Sequence, residues 1–425
     1  MTRRTIAFAV LIATMAASCA SVGVSPRPYR AVGTIAAVAW PYLPGSVIPV
    51  RVDGFAAPYQ VALSGPGSLR ADGTYLVPDG TAPATASLIA GNATGIAQRN
   101  LTIGAPPSGE RDFLAVVSYD DGLVFHDAGT FSVDGVLSTG GSPSDAAIDR
   151  TGRLAATDTQ GSAIALASLF PWRVRSVEGV PLGDDVAIDD ATGAVFVTNR
   201  DVDGNGELTR IAPDASVSHV VTGQTAEGLA IDSRRGIAYV ANVNDGTVAA
   251  VDVASLRILR RFHAVPRIFS LELSADGSRL YGISNQSAGS PFAAPGSAVV
   301  IALGPAVPRI VARSGPLAFP LGVALDAAAN TLFVTDESLD VVDVLDAKTL
   351  RPKRRPLPTC RTPWKPTFDA AGGRLFVPCA RADAVDVFDT SSLRRVTGAP
   401  FATGGYPLAV AVWHAGAPTQ RKPTR

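Results

Sequence analysis

The chain has 425 residues, 47% of them hydrophobic and 17% charged, with 41 Gly and 32 Pro, which is the turn-rich composition of an all-β protein with short strands. Lys plus Arg and Asp plus Glu balance at 37 each, so no basic stripe marks a nucleic-acid footprint and no nucleic-acid partner is expected. Three cysteines exclude a dense disulfide framework, and the length allows two or three domains or one large repeat fold with a smaller companion.

Residues 1–20 read as a targeting segment. Arg3 and Arg4 supply positive charge, "IAFAVLIATMAA" is an apolar run too short to span a bilayer, and the small residues "ASCA" follow. The end "MAASC" resembles a bacterial lipobox, which implies lipidation of Cys19. Ala16 stands where a Leu is more usual, and cleavage after Ala20 is the alternative. Either way export is expected, to the periplasm or cell surface, with membrane attachment only through a lipid anchor.

Residues 31–103 hold the candidate strands "SVIPVRV", "YQVAL", "TYLVP", "TASLIA" and "RNLTI", separated by Gly, Pro and Asp, a spacing that predicts a β-sandwich. The run "GSLRADGTYLVPDGTAPATASLIAGNATGIAQRNLTI" resembles bacterial Ig-like domains. "GAPPSGE", 104–110, is a linker by composition.

From residue 111 to 416 the chain repeats. Copies such as "DVAIDDATGAVFVTN", "GLAIDSRRGIAYVAN" and "GVALDAAANTLFVTD" align on Asp149, Asp189, Asp232, Ser274, Asp326 and Asp369, spaced 40, 43, 42, 52 and 43 residues apart. Each copy reads as four short strands A to D, which suits the blades of a propeller. The longest copy carries the insertion "SAGSPFAAPGS". "FLAVVSYDDGLVFHDAGTFSVDGVLS" supplies strands B, C and D without an A, and "YPLAVAVWHAG" supplies an A alone. Joined, the two ends make a composite blade and bring the count to seven. Residues 417–425 are left as a disordered tail.

The recurring "VFVTN", "AYVAN" and "LFVTD" resemble the YVTN family of β-propellers, with relatives of NHL type. That resemblance implies a seven-bladed propeller, but its members include both binding modules and enzymes such as lactonases and lyases.

The repeated Asp residues are expected to serve the A–B turns. Ligands are expected at the mouth, where D–A and B–C loops meet. Counting five residues back from the aligned position gives Ser144, Asp184, Glu227, Phe269, Leu321, Trp364 and Leu408, with Asp185, Arg267, Phe319, Lys365 and Tyr406 as neighbours. From these, Asp184, Glu227, Arg267, Phe269, Trp364, Lys365 and Tyr406 are the ligand-binding candidates, forming an acidic arc and an aromatic arc. Cys360 and Cys379 lie in loops that open on one face, so a disulfide is expected ahead of two free thiols; closing that loop contributes roughly 3 kcal/mol. "DVDGNGE" places Asp201, Asp203, Asn205 and Glu207 like the start of a calcium loop. Ala212 replaces the required Glu, and a plain polar turn is the competing reading.

Of the four histidines only His263 falls near the mouth, which supplies no convincing acid/base set, and no nucleophile or zinc motif is present. The reading is a monomeric exported binding protein without a required cofactor, recognising an envelope protein, peptide or glycan. The alternative is a hydrolase or lyase at the same mouth, using Glu227, Asp184 and His263.

Overall fold

The computed structural model describes residues 33–416 apart from 55–57, 93–94, 203, 286–294 and 305–306. The leader with Cys19, the tail 417–425 and most of "SAGSPFAAPGS" lie outside these residues. Two compact units result: Met1–Pro106 with Asp134–Gly140, and Pro107–Val133 with Gly141–Arg425. The boundary between Pro106 and Pro107 falls in the linker read from composition.

The first unit is all β. One sheet joins Val47–Pro49, Thr74–Leu76 and Ser68–Leu69; another joins Gln60–Ser64, Ala84–Asn92 and Gly95–Ile103. Strict alternation along Ala84–Asn92 turns Ala86, Leu88 and Ala90 inward, where they share a core with Ile48 and Tyr75 of the other sheet. All five candidate strands are present. Strand D of the composite blade, expected in "VDGVLS", is present as Val133–Leu137, next to Gly122–Asp127 in the sheet that ends on Pro407–Trp413. Residues 134–140 group with the first unit. There the Val136 N–H donates to the Pro41 carbonyl and the Leu43 N–H to the Val136 carbonyl, both at 2.8 Å. Tyr42 and Val136 thereby form an isolated parallel bridge, a pairing with no repeat signature in sequence.

The second unit is a ring of seven antiparallel sheets. Phe113–Ser118 pairs with Gly122–Asp127 on one side and with the last strand of the chain, Pro407–Trp413, on the other. The other six sheets follow in chain order, each with strands A to D. The innermost strand of every sheet packs against that of the next, and Pro407–Trp413 touches both Thr367–Asp369 and Ala146–Ile148, which closes the ring. The composite sheet is called the first blade below.

A single four-stranded sheet has two apolar faces and no partner of its own. The core is accordingly built between blades. Phe196 and Leu208 of the third blade pack with Val240, Ala249 and Val251 of the fourth. Tyr239, Val248 and Phe262 on the opposite face of the fourth pack with Ile268, Leu271 and Leu280 of the fifth. Two outer strands are cut short. In the sixth blade the outer strand is reduced to Leu357–Pro358 and a lone bridge from Pro352 to Leu345, because the prolines of "RPKRRPLP" lack donors. In the seventh, Arg394–Arg395 and Phe401–Ala402 pair the same neighbour in two pieces.

The repeated aspartates cap the A–B turns. Asp149 accepts from the N–H groups of Thr151 and Arg153 at 2.8 and 3.0 Å, Asp189 from Thr192 at 3.1 Å, Asp232 from Arg235 at 3.1 Å, Asp326 from Ala329 at 2.9 Å and Asp369 from Ala371 at 3.0 Å. In the copy with Ser274, its hydroxyl accepts from the Arg279 N–H at 2.9 Å.

Candidate functional site

At the other end of the innermost strands the register shifts in five blades. The shifts lie between Gly183 and Val186, Ala226 and Leu229, Ile268 and Ser270, Pro320 and Gly322, and Pro407 and Ala409. Such a bulge leaves residues outside the ladder and re-aims them. Asp184, Asp185, Glu227, Phe269, Leu321 and Leu408 fall within these shifts. The freed N–H groups need acceptors. The Thr of the "VTN"-like strand provides one: Thr157 Oγ1 accepts from the Asp145 N–H, Thr198 from Asp185 and Thr335 from Gly322, each at 3.0 Å. The same hydroxyls reach the following blade, Thr198 donating to the Glu227 carbonyl and Thr335 to the Trp364 carbonyl at 2.6 Å. The motif that carried the family resemblance therefore fixes the mouth loops. Gly322 is required here by close approach, since a Cβ would lie 2.7 Å from the Cα of Lys365.

The bulges surround a cavity of about 300 Å³. Its aromatic side is Tyr119, Phe269, Trp364 and Tyr406, and its charged side is Asp184, Asp185, Arg200 and Lys365. The Tyr406 ring lies 6.1 Å from that of Tyr119 and 6.5 Å from that of Trp364. Ser144, Thr159 and Gln160 add neutral polar groups.

Two ion clusters organise the charged side. Lys365 Nζ lies 2.9 Å from Asp145 Oδ2 and 3.1 Å from Asp185 Oδ1, bridging the seventh blade to the second and third. Asp145 also accepts from the Val186 N–H and Asp185 from the Leu229 N–H. Burial would strip the proton from Lys365, but Asp145 and Asp185 outweigh it and hold the ammonium charged. Burial pushes Asp145 up to about 6 against the pull of Lys365. In the second cluster Arg200 pairs with Asp184, and its Nε lies 3.5 Å from Glu227 Oε1. Burial, then the charge of Asp184, push Glu227 up to about 8. Burial likewise pushes Glu272, on the inner strand of the fifth blade, up to about 7.

Of the candidates read from sequence, Asp184, Phe269, Trp364, Lys365 and Tyr406 line the cavity. Glu227 and Arg267 are absent from its lining; Glu227 stands behind Arg200. The acidic arc is corrected to an ion-paired one, because Arg200 and Lys365 neutralise it. His263 is exposed at the end of an outer strand and away from the lining, so the three-residue acid/base set is not assembled. Tyr119, Thr159 and Arg200 were missed. They share one repeat position, the first residue after "VVS", "ATD" and "VTN", and counting forward from that motif would have found them.

Cys360 and Cys379 form the expected disulfide. In the calcium-like stretch Asp203 lies outside the described residues, and Asn205 and Glu207 belong to a hairpin strand, Glu207 lying 3.8 Å from His219. Among the described residues no group of three or more His, Cys, Asp or Glu is placed to hold a metal. No helix among them is long and apolar enough to cross a membrane.

No protein-family model and no curated protein matches the chain. Solved structures do. A protein of unknown function from Desulfotomaculum acetoxidans superposes with a TM-score of 0.57 at 18% identity, covering 71% of this chain and 99% of that one. A candidate 6-phosphogluconolactonase from Bacteroides uniformis gives 0.59 at 10% identity over 72% and 100%. The Cps50 (Swd1) β-propeller domain of Myceliophteria thermophila gives 0.54 at 13% identity over 66% and 94%. Likeness at these identities establishes the β-propeller and no activity.

Proposed function

We propose that the protein is an exported binding protein, secreted or lipid-anchored through Cys19, that captures a protein, peptide or glycan at the propeller mouth. The observation that carries this reading is the cavity in which Tyr119, Trp364 and Tyr406 stand beside the ion-paired Asp184, Asp185, Arg200 and Lys365. Aromatic faces bury an apolar or planar part of a ligand, and the fixed charges bind its polar edge. Carboxylates already held by cations suit recognition more than proton transfer. In the same reading the propeller is of the YVTN type, residues 31–103 are an Ig-like spacer, and the protein works as a monomer without a catalytic cofactor.

The test uses the full chain as bait on native envelope extract and on peptide and glycan arrays. Trp364→Ala is expected to weaken capture at least about tenfold while the melting temperature stays within about two degrees. Unchanged capture sinks the mouth as the binding site. A hydrolase or lyase is the second reading, favoured by the raised Glu227 beside Arg200. It requires turnover of a lactone or glycoside that Glu227→Gln abolishes.

A further inference from the structure

The outermost strands of the third, fourth and fifth blades present a surface of unusual make-up. Five of the six large apolar side chains exposed among the described residues are on or next to them. Val221 (43% exposed) lies on Val217–Gly223, Leu259 (44%) on Ile258–His263, and Ile310 (36%) and Val311 (46%) on Arg309–Arg313, with Val307 (71%) just before. Arg260 and Arg261 are exposed on the outer strand of the fourth blade and Arg309 and Arg313 on that of the fifth, and none of the three outer strands contains Asp or Glu. In a chain with as many acidic as basic residues, this is a local segregation of charge.

We infer that these outer strands are a docking surface for a lipid bilayer with anionic headgroups. The apolar side chains enter the headgroup boundary, and the arginines bind lipid phosphates through paired N–H groups. The side chains lie on the outermost strands of successive blades, exposed where a membrane surface can approach them. A second copy of the chain is disfavoured, because a symmetric contact sets arginine against arginine with no carboxylate to answer it. Arginines alone would serve to keep sheet edges from pairing, but that role is weakened by bare Leu, Ile and Val beside them. The mouth takes no part in this inference.

The test is vesicle co-sedimentation of the full chain carrying Cys19→Ser, so that acylation cannot contribute. Vesicles of phosphatidylcholine alone are compared with vesicles that also contain phosphatidylglycerol. Binding to the anionic vesicles is expected to be at least about tenfold stronger and to fall as salt is raised. Combined Arg260→Glu, Arg261→Glu, Arg309→Glu and Arg313→Glu removes the preference. Combined Leu259→Ser, Ile310→Ser and Val311→Ser weakens binding about severalfold while its salt dependence remains. Trp364→Ala leaves both unchanged, which separates this surface from the mouth. If the fourfold variant fails to fold, Arg309→Glu alone and the salt titration of the unsubstituted surface decide. Equal binding to the two vesicle types overturns the inference, as does a preference that survives charge reversal in a folded variant. Self-association abolished by the same substitutions, without vesicle binding, also overturns it and assigns the surface to a second copy.

Discussion

The two ends of the innermost propeller strands both carry carboxylates, and they use them over different distances along the chain. At the A–B turn, Asp149, Asp189, Asp232, Asp326 and Asp369 each accept from backbone N–H groups two to four residues ahead. At the mouth, Asp145, Asp184 and Asp185 answer cations, and the Asp145 partner, Lys365, is 220 residues away. The first set recurs because every blade needs the same turn. The second set is confined to a few blades, because it joins different blades around one space. A repeat protein thus keeps its fold in what recurs and its site in what departs from recurrence.

That contrast can be broken most forcefully at Lys365. Lys365→Met leaves the buried Asp145 and the half-buried Asp185 without their cation, and is expected to cost about 3–5 kcal/mol in urea unfolding. A cost near that of an ordinary surface change would show that the cluster does not tie the blades together. The next effect is a pH dependence. Glu227 has its folded pKa raised from the ordinary 4.5 to about 8, chiefly by burial. Its contribution to stability is therefore fully present below pH 4.5 and is lost as pH rises through about 8. Within that window one proton is worth about 1.4 kcal/mol per pH unit. Unfolding measured across it should show a falling slope that Glu227→Gln flattens; an unchanged slope would place the titration elsewhere, Glu272 being the next group. The smallest effect belongs to the turn end. Asp326→Ala removes one bond to the Ala329 N–H and should cost about 1 kcal/mol, with capture at the mouth unaltered.

Much of this was legible in the chain. The period, the strand order and the composite blade follow from alternation and turn residues, which are local. The mouth candidates were reachable by counting because the bulge recurs at one repeat position, so Asp184 and Phe269 could be placed without a structure. Arg200 could not be weighed in the same way. Its value comes from Asp184 and Glu227, which reach it from two neighbouring blades. "VDGVL" has the alternation of a strand and forms one, Val133–Leu137, in the composite blade, but alternation does not show that residues 134–140 group with the first unit.

By itself, then, the sequence determined the all-β repeat, the turn-capping aspartates and the ring of loop positions around the mouth, since each rests on bonds spanning a few residues or on a pattern repeated in register. Only the tertiary structure decided that the acidic positions are neutralised by Arg200 and Lys365. It also decided that Glu227 stands behind the cavity, that exposed aliphatic side chains collect on three successive outer strands, and that arginines join them on two of these. These depend on ring closure, which brings together residues that are distant along the chain, and no local pattern encodes such distances.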